Sequence, residues 1–117
     1  MATKYTIGLD YGTDSVRSLI VNTSTGEELA TSVFYYPHWK EGKYWDPSKN
    51  RFRQHPSDYL DGLEQTLIKS LEMVSDDVIA NIVSISVDTT GSTPVAVNHE
   101  GVPLSLTPEF AENPNAM

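Results

Sequence analysis

The sequence predicts an α/β fold: a three-stranded antiparallel meander, a helix, a strand parallel to the first, and then a hairpin. Three observations carry this reading. Apolar and β-branched residues fill three stretches between Tyr5 and Tyr36 that are separated only by short turns. Leu60, Leu63, Leu67 and Leu71 recur at steps of three and four, the period of a helix with one buried face. The stretch IVSISVD, beginning at Ile82, alternates strictly between apolar and polar residues.

Taken in order, the first strand is expected from Tyr5 to Asp10 and ends on a carboxylate. Gly12 allows a turn, and the second strand runs from Val16 to Asn22 with Arg17 at its entry. Thr25-Gly26 is a turn signal. The third strand, Leu29 to Tyr36, is rich in β-branched and aromatic residues. Residues 37–56 read as a surface insert: polar, aromatic and turn-rich, with Lys40, Lys43, Lys49, Arg51 and Arg53. Unstructured connections of this length in compact domains are commonly functional or mobile. Within it, Trp39, Tyr44 and Trp45 are assigned to anchoring the segment, and Arg51 and Arg53 to solvent.

The helix is expected from Pro56 to Val74, with Ser57 as N-cap and Asp58 in the first turn. Gly62 costs about 1 kcal/mol relative to alanine, too little to break it. The leucine stripe is assigned to the core. Asp76 to Ala80 adds a short turn, and Ile82 to Asp88 forms the fourth strand. The loop TTGST, Thr89 to Thr93, leads into a hairpin whose arms are Pro94 to Val97 and Val102 to Leu104. A strand–helix–strand crossover is right-handed and sets the first and fourth strands parallel. Both end in aspartate followed by small residues, so both carboxyl ends open on one edge, where ligands of open α/β sheets bind. The tail TPEFAENPNAM has little periodicity and reads as an interior stretch of a longer chain.

Composition excludes several classes. The 117 residues support one modest core. A net charge of -8, from 16 acidic and 8 basic side chains, excludes a general nucleic-acid binder. It leaves room for a phosphate ligand, because a local cluster of N–H donors outweighs a diffuse acidic surface at short range. With no cysteine there is no disulfide framework and no thiolate metal site. No apolar run approaches the roughly 20 residues of a membrane span, and MATKYTIGLD is no signal peptide. A cytoplasmic domain is expected, with a homodimer left open. His38, His55 and His99 share no metal-ligand spacing and are assigned to the surface.

The chemistry concentrates in Asp10-Tyr-Gly-Thr-Asp-Ser-Val-Arg17. Gly12 lets the backbone approach a ligand closely. The amides from Gly12 to Ser15 can form an anion-binding concavity, the hydroxyls of Thr13 and Ser15 add rotatable donors, and Arg17 offers a forked cation. Asp10 suits an outer ligand of Mg2+, which keeps several waters and takes few carboxylates. From the residues alone a second reading stays open: an ordinary hairpin turn, with Asp10 capping local amides and Arg17 in solvent.

The stretch resembles the first phosphate motif of the FGGY carbohydrate kinases, Asp-x-Gly-Thr-x-Ser-x-Arg, matched by Asp10, Gly12, Thr13, Ser15 and Arg17. Asp14 departs from the commoner residues at its variable position. SISVDTTGSTPV, PEFAENPNAM and the Trp-rich stretch before QHPSDY are similar to members of that family that act on a ketopentose. The resemblance implies a ribonuclease-H-like fold of the actin and Hsp70 type, of which this chain would be the N-terminal part. It implies ATP as cofactor, its phosphates held by Gly12, Thr13, Ser15 and Arg17, with Mg2+ on Asp10 through water. The sugar would meet Gly91, Ser92 and Thr93. The implied reaction moves the γ-phosphoryl group of ATP to the 5-hydroxyl of L-ribulose, in arabinose breakdown. The catalytic base is expected beyond Met117, in a C-terminal domain that partners this one, so the 117 residues alone are expected to be inactive. The alternatives are another pentulokinase of the family, acting on ribitol or xylulose, and a nucleotide-binding module of the actin or Hsp70 type that phosphorylates no sugar.

Overall fold

The computed structural model describes residues 2–91 and 93–117. Strands β1 (Tyr5–Tyr11), β2 (Ser15–Asn22) and β3 (Glu28–Tyr35) form the meander. A short helix, α1 (Pro37–Lys40), and a pair of two-residue strands, β4 (Trp45–Asp46) and β5 (Arg51–Phe52), precede the long helix α2 (Pro56–Glu72). Helix α3 (Asp76–Ala80) leads into β6 (Ile82–Thr89). The main sheet has the order β3-β2-β1-β6. β6 lies parallel to β1, as the crossover rule requires, and the pairing sets Asp10 opposite Asp88.

Period-two alternation decides where the core sits. Ile7 and Leu9 of β1, Val16 and Ile20 of β2 and Ala30 of β3 are buried on the face that α2 covers. The helix meets that face through small residues rather than leucines. Its buried positions include Asp58, Gly62, Thr66 and Ser70, spaced by four. A Cβ at Gly62 would stand 2.4 Å from Val16 Cγ1 and 3.0 Å from Phe34 Cδ1, so glycine is what lets the helix approach. Hydroxyls lace the seam. Ser18 and Ser32 donate to the Thr66 carbonyl at 3.0 and 3.1 Å, and the Ser18 and Ser70 hydroxyls meet at 2.5 Å. Leu63, Leu67 and Leu71 flank the seam half-buried, whereas Leu60 is 55% exposed. The expected leucine stripe is thus corrected by about one position around the helix: the gap at its centre admits glycine, serine and threonine but not the longer leucine.

The start of α2 differs in one residue from expectation. His55, not Ser57, is the N-cap, its Nδ1 accepting the Ser57 N–H at 3.1 Å, with Pro56 as the first helical residue. His55 is buried, and its ring stacks on that of His38 at 4.2 Å. His38 Nδ1 meets Asp58 Oδ1 at 2.7 Å, and its backbone N–H donates to Asp58 Oδ2 at 3.1 Å. These two histidines therefore clamp the 37–56 segment to α2; His55 is buried rather than at the surface, and His38 is half-buried. Burial, reinforced by the charge of His38, lowers the pKa of His55. Trp39 and Trp45 stack at 5.7 Å, and Trp45 Nε1–H donates to the Trp39 carbonyl.

The hairpin expected after TTGST shrinks to one antiparallel bridge, Val97 to Pro103. Asn98 N–H donates to Val102 and Leu104 N–H to Ala96, each at 2.9 Å. Pro94 and Pro103 bring no N–H, so a longer ladder has too few donors. β6 stands apart from the rest of the sheet: Val83, Ile85 and Val87 are all more than half exposed. Among the described residues, no helix is long and apolar enough to cross a membrane.

Candidate active site

β1 and β2 are joined by a turn whose two central residues are Thr13 and Asp14. Gly12 N–H closes it by donating to the Ser15 carbonyl at 2.8 Å. That amide is therefore engaged, which corrects the expectation that every amide from Gly12 to Ser15 is available. The N–H groups of Thr13 and Asp14 have no acceptor among the described residues, and both residues are exposed. Ser15 Oγ donates to Asp14 Oδ1 at 3.1 Å, so the turn holds its one acidic side chain through its own hydroxyl.

The carbonyls of this turn are tied from inside the protein. Tyr36, fully buried, donates its hydroxyl to Gly12 O at 3.2 Å, and its backbone N–H donates to Asp14 O at 2.9 Å. Gln54 Nε2 donates to Thr13 O at 2.6 Å and reaches Gly12 O at 3.5 Å. The other end of the Gln54 amide accepts the Tyr59 hydroxyl. Tyr59 also accepts the Tyr11 hydroxyl at its carbonyl, 3.0 Å, and its ring stands edge-on to Tyr11 and Tyr36. Burial pushes the Tyr36 phenol well above its usual range, with Tyr59, Tyr11, Asp14 and Asp10 adding to the effect, so Tyr36 remains a donor at any physiological pH. Burial likewise raises Tyr11 and Tyr59. Sequence reasoning missed Tyr36, Gln54 and Tyr59. The available signal was the amide-bearing Gln54 just ahead of a proline-initiated helix, among aromatic residues.

The expected site residues divide between two faces of the sheet edge. Gly12 and Thr93 line a cavity of about 240 Å³, with Gln54 and Tyr59 on one side and Thr89 and Thr90 on the other. Asp10 and Arg17 instead line a groove on the opposite face with Gly8, Ser86 and Asp88. Arg17, Asp10 and Asp88 are register neighbours across β2, β1 and β6. Arg17 forms no ion pair within 4.0 Å among the described residues. In the second loop the Thr90 and Thr93 hydroxyls meet at 2.7 Å, and Thr93 Oγ1 donates weakly to Gly91 O at 3.4 Å. Gly91 is exposed, and a Cβ there would meet nothing within 4 Å. Ser92 lies outside the described residues.

Chemically, two free amides at a turn suit phosphate oxygens, and the Arg17 guanidinium offers a cation in the groove on the other face of the same sheet edge. The adjacent Asp10 and Asp88 carboxylates suit a hydrated Mg2+ that takes only one or two protein ligands. Among the described residues no group of three or more acids or histidines is placed to hold a metal ion.

No family model matches the chain. Individual relatives do, and the class to which they point is the carbohydrate kinases, as the first motif implies. In particular they are ribulokinases. The chain is 48% identical over 114 residues to the ribulokinase of Vibrio parahaemolyticus, an alignment covering 97% of this chain and 20% of that protein. With the ribulokinase of Halalkalibacterium halodurans it shares 37% identity over 124 residues, 99% of this chain and 21% of the relative. The ribulokinase of Geobacillus thermodenitrificans is 34% identical over 121 residues, again 99% and 21%. The chain thus spans about a fifth of the length of the curated relatives it matches.

Proposed function

We propose that this chain is the opening segment of an ATP-dependent kinase that phosphorylates L-ribulose at its 5-hydroxyl, and that it supplies the phosphate loop and one wall of the sugar site. The observation that carries the reading is the parallel pairing of β1 with β6. It brings the turn after Asp10 and the loop after Asp88 to one edge, with a cavity between Gly12 and Thr93. The similarity to ribulokinases along nearly the whole chain supports the same reading. The meander, crossover helix and parallel fourth strand fit a ribonuclease-H-like domain of the actin and Hsp70 type.

In this reading the N–H groups of Thr13 and Asp14, the hydroxyls of Thr13 and Ser15 and the Arg17 guanidinium receive the β- and γ-phosphates of ATP, close to Gly12. Asp10 holds Mg2+ through water. When bound, the metal neutralises charge on the transferring group, and the chain's own donors fix that group's direction. Thr93, with Ser92 and Gly91, faces the sugar. The base that accepts the hydroxyl proton belongs to the remainder of the longer protein, which also covers the apolar row Val83, Ile85 and Val87.

Sugar-dependent ATP consumption by the complete protein tests this, using L-ribulose, D-xylulose and ribitol. The highest kcat/KM on L-ribulose is expected. Preference for xylulose or ribitol would place the protein with another pentulokinase, and ATP turnover indifferent to any sugar would refute the kinase reading. The 117 residues alone are expected to show no turnover.

A further inference from the structure

Gln54 belongs to neither motif, yet it is 9% exposed and makes the shortest hydrogen bond to the phosphate turn from outside it, 2.6 Å to Thr13 O. We propose that Gln54 is a positioning residue for the phosphate turn, aiming the Thr13 and Asp14 amides at the nucleotide by holding the carbonyls behind them. The inference rests on the kinase reading above and adds a residue to its machinery.

The argument is one of peptide geometry. A trans peptide unit is planar, and its C=O and N–H point in opposite directions. The Gly12 carbonyl shares a plane with the Thr13 N–H, and the Thr13 carbonyl with the Asp14 N–H. Gln54 Nε2 holds both carbonyls from the inside, at 3.5 and 2.6 Å. Both N–H groups are thereby turned outward, and these are the two amides of the turn without an acceptor among the described residues. The assignment of the Gln54 amide is fixed by its partners: carbonyls require the NH2 end, and the Tyr59 hydroxyl donates to the oxygen.

The support behind Gln54 is rigid. Tyr59 is set on α2, locked edge-on between Tyr11 and Tyr36. Gln54 also forms part of the wall of the cavity between the two loops and of the neighbouring groove beside Arg51 and Arg53. Tyr36 assists from the same side through Gly12 O. If the Gln54 amide is lost, the turn keeps its Gly12-to-Ser15 bond and both Tyr36 contacts, but the Thr13 carbonyl loses its holder and the Asp14 N–H its fixed direction.

The test is steady-state kinetics of the complete protein with Gln54→Met, which keeps length and removes both polar ends. At saturating L-ribulose the KM for Mg-ATP should rise at least tenfold, while the KM for L-ribulose changes less than twofold. A variant that merely loosened the fold would shift both constants or lower active concentration alone. Tyr36→Phe, which removes one hydroxyl, gives a second reading and should raise the KM for Mg-ATP about threefold. An unchanged KM for Mg-ATP in the two variants, or equal rises in both substrates' KM, overturns the proposal. Calorimetric titration with a non-hydrolysable Mg-ATP analogue separates the two levels. Wild type that binds the analogue but phosphorylates no sugar refutes the kinase reading, and the Gln54 proposal is then judged by the same tenfold loss in analogue affinity. Wild type that binds no analogue refutes both.

Discussion

The two loops that meet at the sheet edge are built unequally. The Thr13–Asp14 turn is held by the rest of the protein: Tyr36 and Gln54 bind its carbonyls, and the strands on which it stands are covered by α2. Among the described residues, the side-chain hydrogen bonds of the TTGST loop run within it, between Thr89 and Thr90, Thr90 and Thr93, and Thr93 and Gly91. Its strand β6 is exposed along most of its length. A loop that must present fixed donors to a polyanion gains from pre-set geometry, because no reorganisation is then needed at the moment of reaction. A loop that only lines a sugar site can take its final shape from the ligand and from the chain that closes over it. The difference teaches that substitutions behind the first loop should cost stability and nucleotide handling, and those in the second should act on sugar alone.

The largest expected effect lies in the packing of α2 on the sheet rather than in either loop. Gly62→Val places methyl groups where even a Cβ would overlap Val16, and should lower unfolding stability by about 3 kcal/mol despite the better helix former. Urea unfolding measures it, and a neutral result would show that α2 does not set the platform of the first loop. Next is acid sensitivity. Burial keeps the folded pKa of His55 below its ordinary 6.5. The unfolded chain therefore takes up the proton first as pH falls, so the contribution is complete above about 6.5 and is lost as pH drops from there through the folded value. His55→Asn retains a capping side chain without this titration. Between pH 8 and 5 the wild type should lose stability more steeply than the variant, and parallel profiles would contradict the clamp.

Smaller still, Tyr36→Phe removes one donor from Gly12 O and should cost about 1 kcal/mol in stability, read by the same urea titration. The smallest stability effect is expected at Thr93→Val, less than about 0.5 kcal/mol, typical of an exposed position. Its KM for L-ribulose should nonetheless rise while the KM for Mg-ATP holds. A reversed pattern at Tyr36 and Thr93 would erase the distinction between the loops.

Much of this arrangement is legible in the sequence. The strands of the meander and β6 announce themselves through turns and alternation, and the crossover rule orders them, so the edge shared by Asp10 and Asp88 follows without coordinates. The seam of α2 does not follow. Leucines at helical spacing mark a broad apolar face, but the centre of contact is set by Gly62, Thr66 and Ser70, whose smallness matters only once Val16 and Phe34 stand opposite. The His38–Asp58–His55 cluster is equally hidden, because its members are separated in sequence and joined by tertiary packing. Gln54 is only faintly marked for a related reason: beyond its place just ahead of a proline-initiated helix, its bonds reach carbonyls some forty residues away. The second hairpin is only a single bridge, because two apolar arms around a turn suggest a ladder that Pro94 and Pro103 leave short of donors.

The central claim is that the Thr13–Asp14 turn cradles the phosphates of Mg-ATP. The direct measurement is a crystal structure of the complete protein with Mg2+, L-ribulose and a non-hydrolysable ATP analogue. The account predicts β- or γ-phosphate oxygens about 3 Å from the Thr13 and Asp14 nitrogens, with Gln54 still bonded to Thr13 O. Phosphates bound elsewhere, with both amides facing water, would contradict it.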